Sequence, residues 1–561
     1  MNSIVAPLVA LALLAVAAPA AKRRLELSRA KHGSLTGHTR WARRLAGLIP
    51  GYGYDEQHFF NTDGAPSAIA TSRSAAFARM SETIRARSPR TLAATADAQA
   101  AISDLQFTAA YRVPFQFSEY VRQHLPVGAF VRATDRVMVE DLDGNRRYDV
   151  SGSYGVNLFG HEFYKGCIDE GVALVRDLGP LLGSYHPCVA ENAKRLCAIS
   201  GLDEVSFHMS GTEAVMQAVR LARYHTRRRK LVRFSGAYHG WWDDVQPGPG
   251  NPATPSHTFT LAEMSSATLR VLRSRRDIAC VLVNPLQALH PNRSAPGDST
   301  LVNSARRAGV DRDAYAQWLR ELREVCTARG IVLIFDEVFV GFRLAPGGAQ
   351  EYFGVRADLV TYGKTLGGGL PVGALCGRSD LMKRFRNERP ADICFARGTF
   401  NSHPYVMGAM SAFLSRLDRS EIRALYADMD ARWDARAAAL NKRLEDADLP
   451  VRVANLATIW TVLYTRPSRY NWMFQFYLRA AGVGLSWVGT GRLIFSLDYG
   501  DAEFDAVTER FVAAARSMLN DGWWWCAPNL TDKGIGRTIA AELMAQIVRR
   551  LRFLPSAASG R

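Results

Sequence analysis

Strand-like and helix-like segments alternate along residues 200–400, and this pattern constrains the fold more than any other feature of the chain. Runs rich in β-branched and apolar residues are followed by stretches with helical periodicity at 213–229 and 313–329. The strand-like runs are EVSFHM, KLVRF, IACVLV and GIVLIF. Alternation of this kind predicts an α/β domain with a mostly parallel sheet. Residues 421–520 mix helical segments with the strand-like ATIWTVLY and RLIFSLD, which predicts a smaller α+β domain.

The net charge of +17 is concentrated at the two ends of the chain. Residues 22–90 hold thirteen basic and five acidic residues, and residues 531–561 hold six basic and two acidic residues. A basic excess confined to the extensions favours contact with an acidic surface, such as an anionic membrane, over recognition of nucleic acid. The sequence contains no helix-turn-helix, zinc-finger or RNA-recognition motif.

An apolar run of eighteen residues, from Ile4 to Ala21, directly precedes Lys22, Arg23 and Arg24. Its length is at the short limit for a membrane helix. The basic residues after it would keep the rest of the chain on the cytoplasmic side. We therefore expect association with the inner membrane through residues 1–24; the alternative is a hydrophobic helix docked on the protein. The eight cysteines form no CxxC pair, and free thiols are typical of the cytoplasm.

Two small polar segments follow strand-like runs, at the positions where ligands collect in an open α/β sheet. Ser210, Gly211 and Thr212 stand between a strand and a helix, and free N–H groups at a helix start bind phosphate. Ser-Gly-Thr is equally typical of an ordinary helix cap. Tyr238 and His239 lie between glycines after the next strand, where an aromatic ring either stacks on a flat ligand or belongs to the core.

Two charged residues follow later strands. Asp336 comes directly after VLIF, and a carboxylate there needs a partner: a cation of the protein, a metal ion or a protonated ring nitrogen. Lys364 follows DLVTYG and stands shortly before three glycines, which permit a tight turn. A buried lysine must be paired, neutralised or used covalently. The alternative is a lysine solvated on a flexible loop.

Together these four features describe a site for pyridoxal 5'-phosphate. This cofactor needs its phosphate held, its ring sandwiched, its pyridine nitrogen paired with a carboxylate and its aldehyde bound to a lysine amine. All four features in the right order are less expected by chance than any one of them. The sequence therefore predicts pyridoxal 5'-phosphate as the cofactor, with no metal ion and no nucleic-acid partner.

Over about residues 110–520 the sequence resembles the class III pyridoxal-phosphate-dependent aminotransferases, and within them the glutamate-1-semialdehyde 2,1-aminomutase group. The motifs that carry the resemblance are SGTEAV, AYHGWWD, FDEVFVGFRLAPGGAQEYFGVRADLVTYGKTLGGGLPVGA and ARGTFNSHPYVMGAM. The resemblance implies the PLP-dependent transferase fold type I, in which a large α/β domain with a mostly parallel sheet is joined to a smaller α+β domain.

The resemblance also implies roles for individual cofactor-binding residues. Gly211 and Thr212 resemble the family's phosphate-binding amides, and Tyr238 resembles the aromatic residue that stacks on the cofactor ring. Ser210 and His239, their neighbours in the two motifs, are expected at the cofactor as well.

Five further positions match the family. Asp336 matches the partner of the pyridine nitrogen, Val338 the apolar contact under the ring, and Lys364 the Schiff-base lysine. Lys364 and Asp336 are therefore the expected catalytic residues. Thr399 matches a residue that reaches the phosphate of the neighbouring subunit, so the resemblance implies a homodimer. Arg112 lies roughly where the semialdehyde enzymes bind the substrate carboxylate.

The chain is expected to have six parts. They are an apolar segment and possible anchor (1–24), a basic extension (25–105), the first part of the small domain (106–175), the large cofactor-binding domain (176–420), the C-terminal part of the small domain (421–522) and a basic amphipathic tail (523–561). The extensions at both ends have no counterpart in the short members of the family.

We expect amino-group transfer between an amino acid and a keto or aldehyde substrate through a Lys364 Schiff base. One alternative is a glutamate-1-semialdehyde 2,1-aminomutase that forms 5-aminolevulinate. Asn284, where the family usually has glutamate, and the stretch RGTFNSHPYVMGAM favour a two-substrate aminotransferase. The other alternative is a non-catalytic, membrane-tethered protein that binds the cofactor, against which the intact Lys364 and Asp336 argue.

Overall fold

A computed structural model describes residues 17–31, 53–109, 112–246, 256–289, 304 and 306–553. The chain divides into two compact units, each assembled from separate segments. We call residues 1–43, 170–294 and 311–418 the sheet unit, and residues 44–169, 295–310 and 419–561 the terminal unit.

The helices and strands are numbered in chain order. The helices are α1 17–30, α2 Glu56–Phe60, α3 Ser67–Arg87, α4 Pro89–Gln99, α5 Ser103–Ala109, α6 Phe115–His124, α7 His161–Val175, α8 Cys188–Ser200, α9 Gly211–Thr226, α10 Ser266–Ser274, α11 Arg312–Arg329, α12 Gly348–Phe353, α13 Ser379–Met382, α14 Pro404–Leu417, α15 Ser420–Ala424, α16 Met429–Asp446, α17 Phe474–Ala480, α18 Asp501–Asn520 and α19 Asp532–Phe553. The strands are β1 Val131–Asp135, β2 Met138–Asp141, β3 Arg146–Asp149, β4 Glu204–His208, β5 Lys230–Phe234, β6 Thr258–Leu261, β7 Ile278–Val283, β8 Val332–Asp336, β9 Leu359–Gly363, β10 Gly373–Gly377, β11 Val451–Leu456, β12 Ile459–Tyr464, β13 Val483–Gly484 and β14 Leu493–Ile494.

The sheet unit contains one seven-stranded sheet in the order β4-β10-β9-β8-β7-β5-β6. The pairs from β9 to β6 are parallel, whereas β10 runs antiparallel to both of its neighbours. Strands β7, β8 and β9 are buried along their whole length, as continuous apolar runs predict for strands that are covered on both faces. The prediction of an α/β fold with a mostly parallel sheet is confirmed.

The carboxyl ends of β4, β5, β7, β8 and β9 meet at one edge of this sheet, because these strands point the same way. Strands β8 and β9 are neighbours, with Asp336 opposite Thr361. Strand β9 then turns into β10, which brings Gly373 opposite Gly363. The segments that the sequence singles out therefore follow one another along a single edge.

Two small sheets form the strand part of the terminal unit, in the orders β1-β2-β3-β13 and β11-β12-β14. Strands β2 and β3 pair antiparallel around Gly144, whose φ of +87° is a conformation that favours glycine. Asp143-Gly144 thus forms the hairpin that the alternating sequence around it predicts.

An aromatic cluster in the terminal unit joins the N-terminal extension to residues near the C-terminus. The Phe60 ring lies 6.1 Å from the Trp523 ring, and both side chains are buried. Arg73 is fully buried, forms an ion pair with Asp63 at 2.7 Å, and places its guanidinium 4.4 Å from the Tyr470 ring centroid. The extension is therefore packed into a core that it shares with the segment after residue 520.

The predicted membrane segment falls mostly on residues 4–16, which lie outside the described residues. Its last part belongs to α1, and the carbonyl of Ala30 at the end of that helix accepts a hydrogen bond from the Ala262 N–H at 2.8 Å. Among the described residues, no helix combines the length and the apolar character needed to cross a membrane.

Candidate active site

The start of α9 is built to leave two backbone N–H groups available. Ser210 is the N-cap; its Oγ accepts a hydrogen bond from the Glu213 N–H at 3.2 Å, and the Glu213 carboxylate accepts one from the Met209 N–H at 3.0 Å. This arrangement is a variant of the capping box, in which the carboxylate reaches the residue before the N-cap. Gly211 and Thr212 occupy the first turn, where N–H groups have no partner within a helix. These two amides, at the positive end of the helix dipole, are suited to binding an anion, and we call them the cradle.

Small residues bring the cradle against the other strand ends. A Cβ on Gly211 would lie 2.5 Å from Cγ1 of Val338, and a Cβ on Gly363 would lie 3.1 Å from the same atom. Val338 therefore packs between the cradle and the end of β9. Gly240, with φ of +90°, passes so close to Thr212 that a Cβ would lie 2.4 Å from its hydroxyl oxygen. The loop after β5 thus reaches the cradle as well.

Asp336 and His239 form a buried pair at the same edge. Nδ1 of His239 lies 2.7 Å from Oδ2 of Asp336, and the two residues are 1% and 3% exposed. The other carboxylate oxygen, Oδ1, accepts hydrogen bonds from the Val338 N–H at 3.2 Å and the Thr361 hydroxyl at 3.3 Å. Burial lowers the pKa of His239 despite the neighbouring carboxylate. The imidazole is therefore neutral and donates its Nδ1 proton to Asp336.

Lys364 directly follows β9, the strand next to the one that ends at Asp336. It has a left-handed φ of +48° and opens the short turn Lys364–Gly367. Its Nζ lies 5.4 Å from the centroid of the Phe339 ring. Gly368 and Gly369, with φ of +60° and +102°, let the chain reverse into β10. The glycines that follow the lysine in sequence therefore serve the turn that sets it at the edge of the sheet.

Tyr238 is exposed over 59% of its surface. Partial burial and the negative charge of Asp336 raise the pKa of its phenol. Asn284, at the end of β7, donates a hydrogen bond from Nδ2 to the Tyr238 carbonyl at 3.2 Å. The asparagine that stands where the family usually has glutamate thus supports the backbone of the aromatic loop.

Two predicted residues have no recorded contact with this group among the described residues. Thr399 lies in an exposed turn of the sheet unit. Arg112 belongs to the terminal unit, where it is 6% exposed, has φ of +67°, and accepts a hydrogen bond from Gln475 Nε2 at its carbonyl. The sequence did not predict that the Thr361 hydroxyl would donate a hydrogen bond to Asp336. The one indication in the sequence is a hydroxyl residue inside an otherwise apolar strand.

The family profile described as aminotransferase class-III matches residues 120–515. The chain belongs to the class III aminotransferases. The predicted family, fold class and enzyme class are confirmed by this match. The helices of the N-terminal extension from α2 to α5, and the tail helix α19, lie outside the matched range.

Relatives and solved structures agree with this membership. The glutamate-1-semialdehyde 2,1-aminomutase of Geotalea daltonii is 31% identical over 393 residues, which cover 66% of this chain and 85% of that enzyme. A transaminase structure with PLP bound has a TM-score of 0.60 and 27% identity, covering 74% of this chain and 94% of that one. A β-phenylalanine aminotransferase from Variovorax paradoxus has a TM-score of 0.62 and 25% identity, covering 82% and 100% respectively.

Pyridoxal 5'-phosphate is the cofactor of this class III aminotransferase, as the sequence predicts. The residues at the sheet edge fit it. The cradle offers two N–H groups for the phosphate, and glycine is required there because a Cβ on Gly211 would collide with Val338. The buried His239–Asp336 pair offers a carboxylate for the ring nitrogen, and Lys364 offers an amine for the aldehyde.

Proposed function

We propose that the chain is a two-substrate aminotransferase in which Lys364 and Asp336 are the catalytic residues. The observation that carries this proposal is the buried Asp336, held by His239 at the end of β8, with Lys364 at the end of the neighbouring strand. The amino donor is a small amino acid or amine, and the acceptor is a keto or aldehyde compound.

When bound, pyridoxal phosphate supplies an aldehyde that exchanges amino groups and a ring that accepts an electron pair. Lys364 holds the cofactor through its Nζ. When substrate displaces it, the same amine acts as the base that takes the proton from the substrate Cα and returns a proton to C4′ of the cofactor. One residue thus serves as anchor and as proton carrier.

Asp336 keeps the ring nitrogen protonated. Its Oδ2 is occupied by the Nδ1–H of a neutral His239, and Oδ1 by the Val338 N–H and the Thr361 hydroxyl. These bonds go to a negatively charged carboxylate and fix its plane. A buried, oriented negative charge is the group that stabilises a pyridinium. His239 and Thr361 act through Asp336 as positioning residues.

The remaining contacts hold the cofactor in place. Gly211 and Thr212 donate their N–H groups to the phosphate, with Ser210 fixing the turn that presents them. Tyr238 stacks on one face of the ring, and Val338 contacts the other. This sandwich is supported by the packing of Val338 against Gly211 and Gly363 and by the exposure of Tyr238.

A screen of amino donors tests the proposal. Purified holoenzyme is mixed with single amino acids and amines without an acceptor, and the cofactor absorbance is followed. At least one donor should convert the absorbance once, and a keto or aldehyde acceptor should then restore it. A protein that binds the cofactor but responds to no donor in the screen would instead be the non-catalytic, tethered alternative.

A mutase is the second candidate, because the Geotalea daltonii relative carries that name. A mutase returns the amino group to the same molecule, whereas an aminotransferase needs a second substrate. Enzyme with its cofactor in the amino form is given glutamate-1-semialdehyde without a keto acid. We expect a halt after at most one turnover; continued formation of 5-aminolevulinate would establish the mutase.

We also propose a homodimer in which Thr399 reaches the phosphate of the partner subunit. The proposal is supported by large apolar side chains on the surface around it: Phe395 is 70% exposed and Phe400 is 53% exposed. Light scattering should give the mass of two chains. Substitution Thr399→Val should leave that mass unchanged and weaken cofactor binding.

For the termini we propose that the enzyme works on the cytoplasmic side of a membrane to which residues 1–24 attach it. The support is the apolar run followed by three basic residues. Deleting residues 1–24 should move the protein from the carbonate-washed membrane fraction to the soluble fraction with full activity. Full-length protein that is already soluble would contradict the attachment.

A further inference from the structure

An open surface pocket of about 450 Å³ lies in the sheet unit beside the C-terminal end of α9. Helix α9 has 16 residues, so at a rise of about 1.5 Å per residue this end is about 24 Å from the cradle at its start. The lining contains Arg220, Arg223, Arg227, Arg228, Arg229 and His257. No described acidic residue lines it. We call these residues the arginine pocket.

The positive charge of the arginine pocket is only partly compensated. Arg223 forms an ion pair with Asp244 at 2.6 Å, and Arg227 forms one with Asp392. Arg220, Arg228 and Arg229 form no ion pair with any acidic residue in the described part of the chain. Three guanidinium groups at this pocket therefore have no carboxylate partner among the described residues.

Arginines near the C-terminal end of α9 are stabilised by the helix dipole, but this accounts for only some of the positive charge. Arg228 has a structural role, because it donates to the carbonyls of Arg329 and Gly330, each at 2.9 Å. The Arg229 side chain makes no hydrogen bond with a described residue, and one nitrogen of Arg223, Nη2, is buried without a partner there. Arg227 has φ of +56°, a conformation in which glycine would be favoured.

We propose that the arginine pocket binds a small anion carrying two or more phosphate groups. Guanidinium groups recognise phosphate oxygens through paired hydrogen bonds. Several of them around one pocket favour an anion with more negative charge than a single carboxylate carries. The volume fits a compact molecule, in the range of small-ligand sites. The pocket is separate from the cradle, so this anion binds together with the cofactor.

Calorimetric titration of inorganic pyrophosphate into the holoenzyme tests the proposal. The wild type should bind one equivalent per chain without loss of cofactor absorbance. Arg229→Gln and Arg220→Gln should each weaken binding at least about tenfold, because each removes a charge-assisted contact. Within the described part of the chain neither arginine forms an ion pair, and Arg220 donates one exposed hydrogen bond to the Phe395 carbonyl at 3.0 Å, so the variants should fold like the wild type. The control is Arg270→Gln on α10, an exposed arginine outside the pocket, which should leave binding unchanged.

Several results would overturn the proposal. They are no pyrophosphate binding at millimolar concentration, binding that both pocket substitutions leave unchanged, and loss of cofactor absorbance on titration, which would place the anion in the cradle. Tight binding of RNA or of vesicles containing phosphatidylglycerol, without binding of pyrophosphate, would replace the small anion with a polymer or a membrane surface.

Discussion

The two ends of α9 are suited to binding anions for different reasons: backbone N–H groups at the start and side chains at the other end. At its start, we propose that the N–H groups of Gly211 and Thr212 bind the cofactor phosphate; the side chains of Ser210 and Glu213 there accept hydrogen bonds from backbone N–H groups. At its other end, guanidinium groups of the arginine pocket surround a cavity. The first site is made by backbone geometry and the second by side-chain charge.

The two sites also differ in which residues lie beside a bound anion. The cradle lies at the edge where β8 and β9 deliver Asp336 and Lys364, so an anion bound there is held beside reactive groups. The arginine pocket contains neither a lysine nor a carboxylate among its described lining residues. It is therefore suited to binding an anion and not to amino-group chemistry. Substitutions at the two ends should have different effects.

The largest effect is expected at the cradle end, for Lys364→Ala. The variant should fold but lose at least about ten-thousandfold in turnover, because the anchor and the base are removed together. The yellow absorbance of the lysine-bound cofactor should be absent. Turnover with amino donors and the visible spectrum measure this. Arg229→Gln, at the other end of α9, should keep both properties, and a loss of the spectrum there would contradict the separation of the two ends.

Asp336→Asn should bind the cofactor but lose about a thousandfold in turnover. An amide still accepts the His239 hydrogen bond but carries no charge to hold the ring nitrogen protonated, and a buried charge pair is worth about 3–5 kcal/mol. The control is Glu263→Gln. Burial raises the pKa of Glu263 to about 8, so this carboxyl is already neutral at pH 7. Near wild-type turnover in Asp336→Asn would refute the role of the carboxylate.

Gly211→Ala should raise the dissociation constant of the cofactor about tenfold to hundredfold. The new methyl group would lie 2.5 Å from Val338, and overpacking of this kind costs about 1–3 kcal/mol. Cofactor release during dialysis measures the change. Gly309→Ala, where an added Cβ meets nothing within 4 Å, is the matched control. Unchanged affinity in Gly211→Ala would mean that the phosphate lies elsewhere.

Ionic strength should affect anion affinity differently at the two sites, with a smaller effect than the substitutions above. Raising the ionic strength from about 0.05 M to about 0.5 M should weaken pyrophosphate binding at the arginine pocket about tenfold, since exposed charges are screened. Cofactor occupancy should not change, because in our proposal its phosphate is bound by backbone amides, which carry no net charge, and its aldehyde is bound covalently by Lys364. Calorimetry and absorbance at matched salt concentrations provide the comparison. Equal salt dependence at both ends would contradict it.

The smallest effect concerns pH. Burial lowers the pKa of His239, so below about pH 6.5 the unfolded chain takes up a proton that the folded chain refuses. Stability is therefore greater at higher pH and is lost as pH falls. In His239→Gln this slope should be smaller by up to about 1.4 kcal/mol per pH unit between about pH 6.5 and 5. Urea unfolding of the wild type and the variant across this range measures the slope, and an unchanged slope in His239→Gln would contradict this expectation.

Much of the cofactor site could be predicted because its residues follow strands whose apolar runs end abruptly. Asp336 and Lys364 stand at such ends, and parallel strands place their ends together. The partner of Asp336 could not be predicted, because His239 is 97 residues away along the chain. Thr361 carries no local signal either, since its role depends on the register of β8 and β9.

Two other features depend on tertiary contacts that local sequence does not encode. The run of arginines after α9 is typical of a solvated surface, and only the fold gathers it around a cavity with His257. The N-terminal extension appears polar and helical in sequence. Its buried Arg73 and Phe60 are explained by Tyr470 and Trp523, which are about 400 residues or more further along.

The most direct test of the central claim is to locate the lysine that holds the cofactor. Wild-type holoenzyme is reduced with borohydride and digested, and the peptides are analysed by mass spectrometry. We expect one phosphopyridoxyl group per chain, on the peptide that contains Lys364. A reduced cofactor found on a different lysine, with Lys364 unmodified, would contradict the assignment of the active site.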